Sequence, residues 1–570
     1  MSEKGRIERV NNRKLIPVIG FIVLVAVTFL GLGLTRNIGK SKKEIDADTA
    51  LKRLADMNKR VAPVDLPLTK ASVEFTDSSD DGSELPEITD SSISVRATTE
   101  LYAEIDSSPE KAGTGSDAWL TDLAMQFNGE GFEINGKPVS IQLRNLSSGL
   151  VGDYIRTGKH VPDGYSPSNM MWIDMLKSYG VKLDVIDESM VGNTAVIVLE
   201  NSKYKEFTEK YGSVDLKSVV EATEKGDFVM GYTNPFVSST GLNFLVSTLQ
   251  RYDNDNPLSD AAMEGFAKFQ NNVPFVAFNT IQMREASENG SLDGFVLEMQ
   301  TYNNDAMLKR NYTAVPFGYR HDNPLVAVAN ILPEKKEILK KFAEYCESSA
   351  AQSAADKYGF NSNPDYKYEQ PDLDGQTLIQ AQKAYKEKKD NGKTVVGVFV
   401  CDVSGSMDGA PMNGIKESLI NSMQYISPDN YIGLVTYNSD VYINVPIEKF
   451  DLMQQSYFKG GVQSMSAVGG TATYDGVITA LSMIEEKIKD IPDAKPMVFV
   501  LSDGDTNSGY SFNEVQEVIG GLKVPIYTIN YNYAGSEALK TLSGINEAAS
   551  IDANTDDVVY QLKNLLNASM

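Results

Sequence analysis

Histidine and cysteine are almost missing from this 570-residue chain, which has two of each. Two cysteines, Cys346 and Cys401, cannot make a disulfide framework, and Cys401 falls within the apolar run VGVFVCD, where it reads as a small buried side chain. His160 and His321 alone leave no His-rich zinc site and no Ser-His-Asp hydrolase, since both need imidazoles at set places. Basic residues are also in deficit, 53 against 77 acidic, for a formal charge of −24. Such a surface repels phosphate, and no basic patch beyond the N-terminus offsets it, so nucleic acid is excluded as a partner. Two further signatures fail. Asp253-Asn254-Asp255 runs into Pro257 and lacks the Gly and Glu of a calcium-binding EF-hand loop. Gly392-Lys393-Thr394 has Glu387 where a phosphate-binding loop starts with glycine, and it precedes a strand rather than a helix. No general base is evident near the loops described below, and the chain reads as a binding protein rather than an enzyme.

Apolar residues make up 42% and aromatics 9%, enough for real cores, and the length implies about three domains. Residues 15–34 are uncharged and largely apolar, long enough to cross a bilayer as a helix, with no small-x-small cleavage pattern after them. They are expected to be an uncleaved single-pass anchor. Lys4, Arg6, Arg9, Arg13 and Lys14 precede it, while Arg36, Lys40, Lys42 and Lys43 follow it. This balance leans toward a cytoplasmic tail at 1–14 and soluble domains outside the cell membrane. Residues 35–90 combine a charged stretch of weak helical periodicity with the acidic tract DSSDDGSELPEITDSS, and are expected to be a stalk or linker.

From 91 to 370, strand-like runs such as VSIQLR, TAVIVL and NVPFVAF alternate with helical patterns, as βα units require. Several strands end in small hydroxyl and amide residues just before a helix, where free backbone N–H groups can cradle an oxyanion. The segments SSPEK from Ser107, SSG from Ser147, TGKHVPDGYSPSNMMW from Thr157 and GYTNPFVSSTGLN from Gly231 resemble the type II periplasmic-binding-protein family, especially its molybdate- and sulfate-like branch. KKFAEYCESSAAQSAADKYGFN near the end of the region adds to the likeness. The resemblance implies two α/β lobes with a ligand between them. By position it makes Ser108, Ser148, Ser168, Ser238 and Ser239 the cleft residues, and a small oxyanion or a partner the ligand. Residues 371–393 read as a linker ending in an exposed helix.

From 394 to 570 strand and helix alternate again. The apolar strand VGVFVCD runs into a loop with Asp402, Ser404 and Ser406 at alternate positions, oxygen donors suited to Mg²⁺ or Mn²⁺. Gly469-Gly470-Thr471 adds a hydroxyl, and Asp503 in VFVLSDG a second carboxylate, both at strand-to-helix transitions. This DxSxS, GGT and SDG combination resembles the von Willebrand factor type A domain with its metal-ion-dependent adhesion site. The resemblance implies a Rossmann-like fold and a divalent cation (Mg, or Mn or Ca) held by Asp402, Ser404, Ser406, Thr471 and Asp503. It also implies a protein partner whose acidic side chain completes the metal's coordination. The expectation for the whole is a membrane-anchored extracellular binding protein. The alternatives are an anchored solute receptor for an ABC transporter, or an envelope assembly or adhesion factor.

Overall fold

The computed structural model describes residues 45–73, 85, 88–270, 272–273, 275–277, 280, 283, 292–328, 331–388, 393–423, 426–491, 493–504, 506–531, 536–546, 548 and 550–552. The expected anchor at 15–34 and most of the acidic tract lie outside the described residues. Among the described residues no helix is long and apolar enough to cross a membrane.

The C-terminal module is built on a seven-stranded sheet with Val395–Asp402 at its centre. Tyr431–Tyr437 and Lys495–Ser502 flank this strand in parallel, and Ile526–Asn530 and Ser550–Asp552 extend the sheet on one side. Every residue of the central strand is buried, because both faces of the sheet are covered. Val396, Val398 and Val400 pack with Val477, Ile478, Val515 and Val518 of helices Thr473–Lys487 and Phe512–Leu522. Val395, Phe399 and Cys401 face the opposite way, among Ile415, Leu419, Phe458 and Val462. Phe399 stacks on Phe499 at 4.9 Å between centroids. A parallel sheet with helices on both faces places its ligand loops at the carboxyl edge, and the metal-loop residues follow that edge.

Residues 45–73, expected as stalk, belong to this module. Ala47–Val61 is a helix capped by Asp46, which accepts from the Thr49 amide at 2.8 Å, and closed by Ala62 in a left-handed conformation (φ 52°). Its Ala50, Leu54 and Met57 lie on one face and are buried, the last two in the same core as Val398. Asn58 donates to Ser482 and accepts from Thr479, both at 3.1 Å, and Arg53 pairs with Glu517 at 2.7 Å. The helix lies so close that a Cβ on Gly521 would come within 2.8 Å of the Ala50 Cβ. Val64–Asp65 then pairs in parallel with Val441–Lys449. The antiparallel hairpin formed by Tyr431–Tyr437 and Val441–Lys449 therefore does not end the sheet; Val64–Asp65 is its outer strand. Beyond it, Thr69 lies so close that a Cβ on Gly460 would be 2.1 Å from its carbonyl oxygen. The amphipathic face is short and its partner lies some 400 residues away in the chain, so local periodicity carried little of it.

The middle of the chain forms two lobes. One sheet has the order Ile93–Val95, Lys137–Asn145, Leu101–Ser107, Gly164–Ser166, Leu325–Val328, Leu183–Asp187. The other has the order Phe275–Ala277, Met230–Thr233, Gly294–Glu298, Thr194–Glu200, Tyr312–Arg320. The chain crosses between the lobes at 188–193 and again at 321–324. The helix expected to be exposed, Gly375–Lys388, is instead packed on this domain. Leu378, Ile379, Ala381 and Tyr385 are buried in its core, and the helix contacts Met171–Ser178 of one lobe and Ser239–Tyr252 and Asp260–Gln270 of the other. Gln382 donates to the Pro235 carbonyl at 2.7 Å. The alternation of apolar and polar residues in QTLIQAQKAYK hides the burial, because Gln376, Lys383 and Lys386 face out between buried positions that include Gln382 itself.

Candidate functional site

The metal loop begins where the central strand leaves the sheet. Asp402 is buried at the strand's last position, and its Oδ1 accepts from the Ser404 amide at 2.8 Å, which turns the chain back over the strand end. Its Oδ2 accepts from Ser502 at 2.6 Å. Ser404 and Ser406 hydroxyls lie 3.0 Å apart, and Ser406 donates to Asp503 at 2.9 Å. Four of the five expected residues thus form one hydrogen-bonded chain across two strand ends. Thr471 comes from a third loop, pinned beside them by two backbone bonds, Gly405 N–H to Gly469 O at 3.0 Å and Val468 N–H to Val403 O at 2.8 Å. Gly469 has φ 88°, a conformation that suits glycine, and lets this loop approach.

Burial pushes the Asp402 carboxyl above its usual range, and the nearby Asp503 charge adds to the effect, against hydrogen bonds that lower it. Neither carboxylate is paired with a basic side chain among the described residues. Two carboxylates and two hydroxyls meeting beside the Thr471 loop, with no basic side chain paired to them among the described residues, are a hard-cation donor set, so these residues fit the divalent ion that the sequence implied. Several supporting residues escaped the sequence reading. Ser502 fixes Asp402, Ser439 accepts from the Gly470 amide at 2.9 Å, and Asn507 accepts from the Thr471 amide at 2.8 Å. A serine at a strand end is too common to be read as one of these partners.

The second candidate lies between the lobes. Ser108, Ser148, Ser168, Ser238 and Ser239, the five residues named from the sequence, all line one cleft. Two contacts tie them together: Ser239 donates to Ser148 at 3.2 Å, and the Ser108 and Ser168 hydroxyl oxygens lie 3.3 Å apart. Trp172 Nε1 holds Ser239 at 2.9 Å, and Thr233 holds Ser238 at 2.9 Å. The lobes touch here, since a Cβ on Gly149 would lie 2.1 Å from the Phe236 carbonyl oxygen.

The sequence reading missed the charged groups of this cleft. Glu110 and Glu298 line it as well, at 8% and 1% exposure. Glu298 accepts from Asn193 at 2.9 Å, from Thr240 at 2.5 Å and from His321 Nδ1 at 2.7 Å. His321 Nε2 faces the amide nitrogens of Asn169 and Asn243 at 3.2 and 3.0 Å, so it accepts and the ring is neutral. Lys111, fully buried behind the cleft wall, donates to Ser108 at 2.7 Å and to the Ser166 carbonyl at 3.0 Å. Burial lowers its ammonium to about 8, against the opposing pull of Glu110 and Glu298. The Glu of SSPEK was visible in the sequence, but its direction was not.

Comparison with known proteins agrees with this division. The family model described as bacterial extracellular solute-binding protein matches residues 112–361, and that of the von Willebrand factor type A domain matches residues 398–567. Among curated proteins, inter-alpha-trypsin inhibitor heavy chain H3 from Bos taurus is 30% identical over 161 residues, covering 25% of this chain and 18% of its own length. The Homo sapiens protein of that name is 31% identical over 160 residues, with the same coverage of 25% and 18%. The chain thus spans about a fifth of the length of these relatives. Among solved structures, a von Willebrand factor type A protein from Catenulispora acidiphila is 19% identical, covers 31% of this chain and 43% of that one, and has a TM-score of 0.28. The sulfate-binding protein of Mycobacterium tuberculosis is 13% identical, covers 46% of this chain and 86% of that one, and has a TM-score of 0.34. The chain combines a bacterial extracellular solute-binding-protein domain with a C-terminal von Willebrand factor type A domain.

Proposed function

We propose that this chain is a membrane-anchored recognition protein whose C-terminal module grips an acidic side chain of a protein partner through a divalent cation, Mg²⁺ before Mn²⁺ or Ca²⁺. The observation that carries the reading is the convergence of Asp402, Ser404, Ser406 and Asp503 in one hydrogen-bonded chain, with the Thr471 loop pinned against it and no basic counter-charge among the described residues. Ser404, Ser406 and Thr471 would offer hydroxyl oxygens, and Asp402 and Asp503 the charge. A bound cation would supply an open coordination position for a carboxylate from outside. Asp402 is fixed on both carboxylate oxygens by protein donors, so it orients the loop as well as charging it.

In this reading residues 15–34 anchor the chain, the two modules lie outside the cell, and the clamshell holds a small polar solute. A second reading, an anchored solute receptor for a transporter, draws on the hydroxyl-lined cleft. Calorimetric titration of Mg²⁺ into the full chain tests the first reading. Wild type should bind and Asp402→Ala should not, and silence from wild type would overturn it. In a pull-down from membranes, the partner should be lost in chelator and lost with Asp402→Ala. Retention under both conditions would remove the metal bridge. Protease added to intact cells should digest both modules, and their protection would reverse the topology.

A further inference from the structure

The interlobe cleft carries a charge balance at odds with the bare oxyanion that its serines call for. Two carboxylates, Glu110 and Glu298, face it, and one ammonium, Lys111, stands behind the wall. With His321 neutral, the sum is about one negative charge, from two carboxylates less one ammonium. Glu298 is held by three protein donors, whereas Glu110 has one partner among the described residues, the Ser168 hydroxyl on its Oε1. Its Oε2 is left for whatever enters. A sulfate or molybdate dianion would meet both carboxylates in a site shielded from water, where like charges repel strongly. The remaining lining is mainly hydroxyl oxygen, which accepts from a cationic donor or ligates a hard cation as readily as it donates to an anion.

From this geometry we infer that the cleft is selective for a ligand with a single small cationic centre, seated against Glu110 and Glu298, rather than for a tetrahedral oxyanion. The inference rests on the reading of the middle domain as a solute binder and gives that reading its chemical class. The centre has two sources of the same chemistry, the ammonium group of a small amine or zwitterion, and a bare metal cation. In either case Glu110 supplies the open oxygen, Glu298 the fixed one, and the hydroxyls of Ser108, Ser168 and Thr240 the remaining oxygens.

The test is calorimetry on the full chain carrying Asp402→Ala, which silences the C-terminal metal site, against ethylammonium, glycine, Ca²⁺, sulfate and molybdate. Heat is expected from at least one cationic probe, and Glu110→Gln should weaken that binding about tenfold or more. Ethylammonium or glycine against Ca²⁺ identifies the source. Circular dichroism checks that Glu110→Gln is folded, and Glu298→Gln provides a second variant with the same expected loss. Cation binding that both variants leave unchanged would overturn the inference. Binding of sulfate or molybdate without any cationic probe would overturn it while leaving a working solute domain. Silence from every probe would overturn the solute reading along with it.

Discussion

Replacing Leu54 with Ala should destabilise a domain that begins about 340 residues further along the chain. Leu54 is 2% exposed and lies in the core shared with Val398, Val477 and Val518, so its loss leaves a cavity between two packed helices. Buried Leu→Ala changes cost about 2–5 kcal/mol. Leu51, one turn earlier and 38% exposed, is the internal control, with an expected cost under about 0.5 kcal/mol. The two tryptophans, Trp119 and Trp172, both belong to the clamshell, so tryptophan fluorescence follows that domain while hydrogen exchange by mass spectrometry resolves the other. Leu54→Ala should lower protection across Thr473–Lys487 and Phe512–Leu522 by an amount matching the lost stability, with Ser239–Tyr252 unaffected. If protection falls only within Ala47–Val61, or if the two variants behave alike, the helix is a stalk and the packing argument is wrong.

Gly149→Ala should cost about 1–3 kcal/mol in denaturant unfolding, because the new methyl meets the Phe236 carbonyl across the lobes. Gly152→Ala, one turn on, has only Trp172 at 4.0 Å and should instead stabilise by about 0.5–1 kcal/mol; equal effects would refute the contact. A fragment of residues 91–370 lacks the helix Gly375–Lys388, and should unfold at lower denaturant than a fragment of residues 91–388; identical midpoints would show that the helix is only a linker. Both cysteines are buried and burial pushes both thiols up, so at pH 9 neither should form the thiolate that reacts with a disulfide reagent until the chain unfolds. Rapid native labelling at that pH would contradict the burial.

The metal loop was legible from sequence because its chemistry is local. Asp402, Ser404 and Ser406 stand at alternate positions of one loop, and the strand before them is apolar throughout. Thr471 and Asp503 were legible because each follows its own strand or precedes its own helix, so the parallel-sheet rule places them on the same edge. The five cleft serines came from the resemblance to the type II periplasmic-binding-protein family, and the structure places all five along one cleft. Glu110 and Glu298 were not legible, since a lone glutamate in a sequence does not show which side of a wall it faces. The helices Ala47–Val61 and Gly375–Lys388 were read as stalk and linker because each lies in a stretch rich in charged and polar residues, which does not show what covers the apolar positions between them.

The sequence by itself determined the two α/β modules and their order, and it pointed to the strand-end residues that meet around Asp402, since periodicity and motif spacing are properties of neighbouring residues. Only the tertiary structure decided which segments complete which module, and which acidic side chains line the cleft. Both depend on groups far apart in the chain: Leu54 against Val518, Glu110 against Glu298. Burial and electrostatic balance arise from every element that surrounds a point, and those elements meet only in the folded chain.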